Sequence, residues 1–248
     1  HKGLSMNNHT VIVITGPTAS GKTPLGVSLA LALKSEVVSA DSMQLYRGLD
    51  IGSAKPTGKE MRGVPHRMID VADPWEDYSV SRWVESAAAC CDALLAQGKT
   101  PVIVGGTGLY IESLLSGRDF SAAPGDSGLR ERLGAEYDAL GGAAFRERLR
   151  TVDPERAEKL APGDKKRLVR SMEVFLLTGE TITAHDERTK LLPPRYASRR
   201  FALTWKRRET LYERIRRRVD DMMTAGLAEE VERLLQSGLS EKCTAMQA

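Results

Sequence analysis

The segment GPTASGKT, Gly16–Thr23, constrains this chain more than any other eight residues. It has the Walker A spacing, Gly16-x-x-x-x-Gly21-Lys22-Thr23, and its flanks give that spacing meaning. Before it, Val11–Thr15 is a continuous β-branched run, the pattern of a strand buried on both faces of a parallel sheet. After it, Gly21–Lys34 places Leu25, Leu29 and Leu33 at i, i+4 and i+8, an apolar helical stripe, with Pro24 early enough to sit in the first turn. A strand, a glycine loop and a helix in that order aim backbone N–H groups at phosphate oxygens. Lys22 then neutralises the phosphate charge, and the Thr23 hydroxyl is placed to ligate magnesium.

The rest of the chain supplies the matching architecture. Val37–Ala40 and Val102–Val104 are short apolar runs that stop at Asp41-Ser42 and at Gly105-Gly106-Thr107-Gly108. Both read as parallel strands, with Ser79–Gln97 as the crossover helix between them and Met68–Val71 as a further short strand. From about Arg118 to Pro194 the pattern becomes helical and rich in Arg, Glu and Leu, broken at Gly141-Gly142, Pro154 and Pro162. Phe201–Trp205 reads as a returning strand, followed by a helix whose apolar face is Leu211, Ile215, Val219, Met222 and Met223. The expected fold is α/β, a P-loop NTPase-like parallel sheet flanked by helices. Residues 6–117 and 195–248 would form the core, and 118–194 a helical insertion.

Composition excludes several classes. No window approaches the roughly 20 apolar residues of a membrane span, and His1–Asn8 is too polar for a secretory signal, so a cytoplasmic, membrane-free protein is expected. Of the three cysteines, Cys90 and Cys91 are neighbours in a helical pattern, which fits packing rather than a disulfide framework or a zinc site. A net charge of +3 does not by itself indicate nucleic acid. The basic residues Lys165, Lys166, Arg167 and Arg170 do gather on one helical segment, a pattern shared by phosphate-backbone sites and by solvated helix faces.

A P-loop ATPase usually ends a second strand in an acid that holds magnesium through water, but Val102–Val104 runs into glycines and Thr107. The remaining strand-end carboxylate is Asp41, at the edge of a parallel sheet where ligands bind. From its position alone Asp41 can serve the metal, take a proton from an attacking nucleophile, or cap its own turn. A small-metabolite kinase, with the insertion as a lid, also remains open.

Four stretches together resemble one family, the tRNA dimethylallyltransferases that modify an adenosine next to the anticodon. They are GPTASGKT at Gly16, SADSMQLYRGLDIGSAKP at Ser39, GVPHRMIDVADPWEDYSV at Gly63 and PVIVGGTGLY at Pro101. The similarity continues through DPERAEKLAPGDKKRLVRSMEVFLLTG at Asp153 and LYERIRRRVDDMMTAGLAEEV at Leu211, and TAMQA resembles the start of a further family segment, so more chain is expected beyond Ala248. Pro24, directly after the loop threonine, departs from the family pattern but is sterically acceptable in a first turn.

The resemblance implies transfer of a dimethylallyl group from its diphosphate to the exocyclic N6 amine of adenosine, with Mg2+ and release of diphosphate, on the anticodon stem-loop of tRNA; a monomer is expected. Gly16, Thr18, Ala19, Ser20, Gly21, Lys22, Thr23 and Arg218 would then hold the donor diphosphate, with Thr23 on the metal. Asp41 would be the general base and Thr107 would position the amine or the phosphate end of the donor. Asp41, Ser42, Met43 and Gln44 would meet the displaced base, Gln44 at its edge and Met43 on a face. Arg130 and the segment Lys166, Arg167, Leu168, Val169 and Arg170 would contact tRNA. Arg214, Arg217 and Arg218 share one side of a helix and could face either the diphosphate or RNA. His66 has no partner at ligand spacing and takes a structural role. Two relatives in chemistry stay open beside this reading, an isopentenyltransferase for free adenine nucleotides and the kinase, as does a non-catalytic binding module.

Overall fold

The β-branched run forms β1, Thr10–Thr15, in a computed structural model that describes residues 10–117, 125–241 and 243–246. The loop follows, then α1, Lys22–Ala32, and β2, Val37–Ser39. A single-turn helix α2, Gly58–Met61, starts in a capping box in which Thr57 and Glu60 satisfy each other's backbone N–H groups. β3, His66–Arg67, precedes α3, Val80–Ala96, which is capped by the Ser79 hydroxyl accepting from the Arg82 N–H. β4, Val102–Val104, and α4, Gly108–Leu115, complete the first stretch.

The chain folds as two compact units, one of His1–Ser116 with Pro194–Ala248 and one of Gly117–Pro193. Among the described residues the second unit is entirely helical. It contains α5 (Ser127–Leu140), α6 (Gly142–Arg150), α7 (Pro154–Lys159), α8 (Lys165–Thr178) and α9 (Ile182–Lys190). Asp126, Asp153, Asp164 and Thr181 cap α5, α7, α8 and α9 through their side chains, each satisfying an N–H that the first turn would otherwise leave unpaired. Leu133, Phe145, Leu149, Ala157, Leu160, Leu168, Val169 and Met172 form its own core.

The chain returns to the first unit as β5, Ala197–Ala202, followed by α10, Arg208–Thr224, and α11, Leu227–Gln236. All described strand pairs are parallel, in the order β3-β2-β4-β1-β5. Alternate residues of the central strands serve the two faces of the sheet. Val11, Val13, Val38 and Ile103 pack with Trp83, Ala87 and Cys91 of α3 and with Tyr110 and Leu114 of α4, where the Trp83 and Tyr110 rings stack at 4.6 Å. Ile14, Val37, Val102 and Val104 pack with Val27 and Ala30 of α1. No described helix is long and apolar enough to cross a membrane.

Four expectations are corrected. The face α1 turns to the sheet is Gly26, Val27 and Ala30, with Leu29 and Leu33 half-buried at its border and Leu25 42% exposed. The helix lies so close that a methyl at Gly26 would stand 2.5 Å from Val104 Cγ2, which favours the small-residue face over the leucine stripe. The short edge strand is His66–Arg67 rather than Met68–Val71, because Met68 and Asp70 adopt positive φ and leave the sheet. The returning strand is Ala197–Ala202 rather than Phe201–Trp205. It is an edge strand, largely exposed, and its Ser-Arg-Arg sequence hides it from any hydrophobic pattern. Finally, no residue of α10 is fully buried: Leu211, Ile215 and Met222 are half-buried, while Val219 and Met223 are exposed.

Candidate active site

Three strand ends converge on the loop. β1 leads into Gly16, β2 passes through Ala40 into Asp41, and β4 leads into Gly105. The ladder continues past the strands, with Ala40 N donating to Val104 O at 2.8 Å, Gly105 N to Ile14 O at 3.1 Å, and Thr107 N to Ala40 O at 3.2 Å. A methyl at Gly105 would land on the Ala40 backbone, 2.8 Å from its Cα and closer still to its carbonyl. The glycine-threonine turn thus lets β4 and β2 approach closely enough to bring Thr107 beside Asp41.

The loop itself turns through Gly21, the residue capping α1, at φ 93°. Lys22 Nζ donates to the carbonyls of Gly16 and Pro17 at 2.7 and 2.6 Å. Burial lowers the Lys22 pKa from the ordinary lysine value and the charge of Arg218 lowers it further, while Asp41 opposes both. The Ser20 hydroxyl is buried in the loop wall with no hydrogen-bond partner. Thr18 to Pro24 border a concavity of about 680 Å³, together with Asp41, Gln44 and Lys55.

Arg214, Arg217 and Arg218 line the same concavity, so all three face the loop. Arg214 Nε donates to the Ala19 carbonyl at 3.0 Å, and its guanidinium lies 4.9 Å above the Trp205 ring. Of the residues expected to hold the donor, all but Gly16 border this space, and Gly16 instead supplies a carbonyl to Lys22.

Asp41 and Thr23 also line a recess of about 40 Å³ behind the loop, shared with Lys22, Ser39, Gln44 and His66. Asp41 Oδ1 accepts from the backbone N–H of Met43 at 2.9 Å and of Gln44 at 3.3 Å, so the carboxylate does cap its own turn. Among the described residues nothing donates to its Oδ2, which leaves that oxygen for other work. Thr107 Oγ1 accepts from Ser42 N at 3.1 Å and thereby fixes the turn against the start of α4.

Gln44 is less available to a base edge than its position suggests. Its Oε1 accepts from Ser39 Oγ at 3.2 Å, and its Nε2 donates to the carbonyls of Ser53 and Ala54 at 3.3 Å. Met43 is half-buried against the main core.

Two residues that brace this site, Glu230 and Lys55, fall inside stretches that resemble the family, but no residue pattern singles them out. The Glu230 carboxylate of α11, 3% exposed, accepts from the backbone N–H groups of Asp50, Ile51 and Gly52 at 2.8–2.9 Å. The Lys55 ammonium is held by the Tyr46 carbonyl and by Asp50 and Asp70 at 2.5–2.7 Å. Together they fix the 50–55 loop whose carbonyls receive Gln44. Glu230→Ala strips three N–H groups of their acceptor, and a loss on the order of 3 kcal/mol is expected. A urea melt that shifts by less than a third of that would contradict this account.

His66 Nδ1 lies 2.9 Å from the Val64 carbonyl, and burial lowers its pKa from the usual histidine value despite that bond. Its neutral form is therefore favoured on folding. That stability is present above pH about 6.5 and is lost as pH falls through the lower folded-state value. Between pH 7.5 and 5 the urea midpoint is expected to fall further for the wild-type chain than for His66→Gln, and equal falls would refute it.

In the helical unit, Arg130 is 51% exposed and bonds Glu173, with Nε 3.2 Å from Oε2. Arg170 bonds the same buried carboxylate at 2.8 Å. Lys166 and Arg167 are exposed. Leu168 and Val169 are corrected as RNA contacts: they are 0% and 4% exposed in the core of the unit, because they lie on the apolar face of α8 while Lys166, Arg167 and Arg170 lie off it.

A parallel sheet with its phosphate loop between β1 and α1, and carboxylate and threonine at adjoining strand ends, defines the P-loop NTPase-like class of fold. The profile of the IPP transferase family matches residues 44–248, and that of the isopentenyl transferases matches residues 9–73. The chain is 44% identical over 236 residues to the tRNA dimethylallyltransferase of Pelotomaculum thermopropionicum, covering 95% of this chain and 74% of that relative. Among solved structures, the full-length tRNA isopentenylpyrophosphate transferase from Bacillus halodurans superposes with a TM-score of 0.66 at 37% identity, over 97% of this chain and 74% of the other. A eukaryotic dimethylallyltransferase acting on tRNA gives a TM-score of 0.82 at 28% identity, over 95% of this chain and 58% of the other. The chain belongs to the IPP transferase family, whose members here are prenyl transferases of tRNA. These matches favour neither the metabolite kinase nor the free-nucleotide enzyme.

Proposed function

We propose that this protein transfers a dimethylallyl group from dimethylallyl diphosphate to the N6 amine of the adenosine adjacent to the anticodon in tRNA. The observation that carries this reading is that Asp41, Lys22 and Thr23 line one recess at the ends of β1, β2 and β4, in a chain of this family. The nitrogen lone pair attacks C1 of the dimethylallyl group as the C1–O bond breaks, and the electron pair of that bond leaves on diphosphate. The N6 proton passes to Oδ2 of Asp41. Charge growing on the leaving oxygens is met by Lys22, Arg218 and the loop N–H groups. The unpartnered Ser20 hydroxyl suits the same oxyanion. Thr107, held against Ser42, orients the amine.

Magnesium fits the donor set. This ion takes oxygen ligands, keeps several waters and is commonly held by one or two protein groups plus substrate phosphates; the Thr23 hydroxyl would hold it, in a recess that Asp41 also lines. When bound it would stabilise negative charge on the diphosphate.

The test is transfer of labelled dimethylallyl to an anticodon stem-loop with magnesium, run beside free AMP. Label in the RNA is the expected result. Label in AMP alone, or in neither, would overturn the reading.

A further inference from the structure

A second charged concavity, of about 420 Å³, lies within the helical unit, and every residue lining it is ionisable: Arg156, Asp164, Lys166, Arg167 and Arg170. Its one acid is already committed. Asp164 caps α8 by accepting from Arg167 N at 3.2 Å, and its other oxygen lies 3.3 Å from Arg167 Nη1. Arg170 is drawn to the fully buried Glu173. Arg156 differs from both: among the described residues no carboxylate pairs with it, and its Nε–H is buried with no acceptor. Four cations line this space against one committed acid, and no described carboxylate balances Arg156, so the site calls for an anion from outside the protein. The first turn of α8, which contains no acid, adds the positive end of a helix to the same place.

We infer that Arg156 is a phosphate ligand, and that with Lys166 and Arg167 it receives one backbone phosphate of the RNA substrate in this concavity. The assignment rests on the tRNA reading above and extends it to a residue of α7 outside the basic run of α8. A phosphodiester suits the site because its two non-bridging oxygens match the fork of a guanidinium, which a lysine cannot reproduce. The contact is made equally in ground and transition states, so it governs affinity and not turnover.

The test compares the full chain with Arg156→Gln and with Lys159→Gln, an exposed cation paired with Glu155 outside the concavity. Affinity for an anticodon stem-loop is measured across a salt series. Arg156→Gln is expected to weaken binding about tenfold near 0.1 M salt, to reduce the slope of log K against log salt by about one, and to raise KM for RNA with kcat unchanged. Lys159→Gln should match wild type. Should Arg156→Gln misfold, phenylglyoxal modification of the wild-type chain, mapped by mass spectrometry, gives the same answer: RNA is expected to protect Arg156. An unchanged slope and KM in Arg156→Gln, no protection by RNA, or equal protection by polyglutamate would overturn the assignment while transfer to RNA still stood. If the wild-type chain neither binds nor prenylates RNA, the functional reading itself falls.

Discussion

Asp41→Ala is expected to lower kcat about a thousandfold while leaving affinity for dimethylallyl diphosphate within about twofold. The carboxylate has two separable tasks. Oδ1 holds the turn by accepting from Met43 and Gln44, and Oδ2 is the oxygen assigned to the N6 proton. Asp41→Asn parts them, since an amide oxygen can still accept the two backbone N–H bonds but the group no longer takes a proton at neutral pH. If Asp41→Asn loses as much turnover as Asp41→Ala, proton transfer is the function lost. Near wild-type turnover in Asp41→Asn with a large loss in Asp41→Ala would reduce Asp41 to a turn cap. Single-turnover transfer to a stem-loop, with donor binding measured separately, resolves the cases.

The second large effect is on folding. Gly105→Ala is expected to cost about 3 kcal/mol or more, or to prevent a stable fold, because its methyl meets the Ala40 backbone and not a side chain that can rotate away. β2 and β4 pair from Val37–Val102 to Ser39–Val104, and Ala40 N adds a bond to Val104 O, so pushing the strands apart breaks a ladder at the centre of the sheet. Gly106→Ala is the control, since a methyl there would meet nothing closer than 3.7 Å. Equal thermal midpoints for the two variants would contradict the packing argument.

The sequence made the centre of the fold legible and left its margins obscure. β1, β4 and α3 are read correctly because a strand buried on both faces and a long amphipathic helix have unmistakable patterns. The same logic fails where exposure replaces burial. β5 is an edge strand carrying Ser198, Arg199 and Arg200, and α10 has apolar residues that nothing in the described chain buries. It fails also where closeness matters more than hydrophobicity, as in α1, where Gly26 rather than Leu25 faces Val104.

The site divides along similar lines. Asp41 and Thr107 can be found because strand ends of a parallel sheet converge, and the resemblance gave them roles. Glu230 and Lys55 cannot, since an acid in a helix and a lysine in a loop look like surface residues until the tertiary structure buries them against backbone groups far away in the chain.

β5 pairs with β1 along its whole length, from Thr10–Ala197 to Thr15–Ala202, and Leu203 N adds a further bond to Thr15 O. One flank of the strand that feeds the phosphate loop is therefore made by residues emerging from the ribosome some 190 positions later, after the entire helical unit. The helical unit, with its own core and self-contained caps, can condense during synthesis, whereas β1 must wait with an open edge. Nascent chains stalled before Ala197 should thus carry a folded insertion beside an unfinished α/β core, and the apolar strand Val11–Ile14 is where such intermediates would be most prone to mispair.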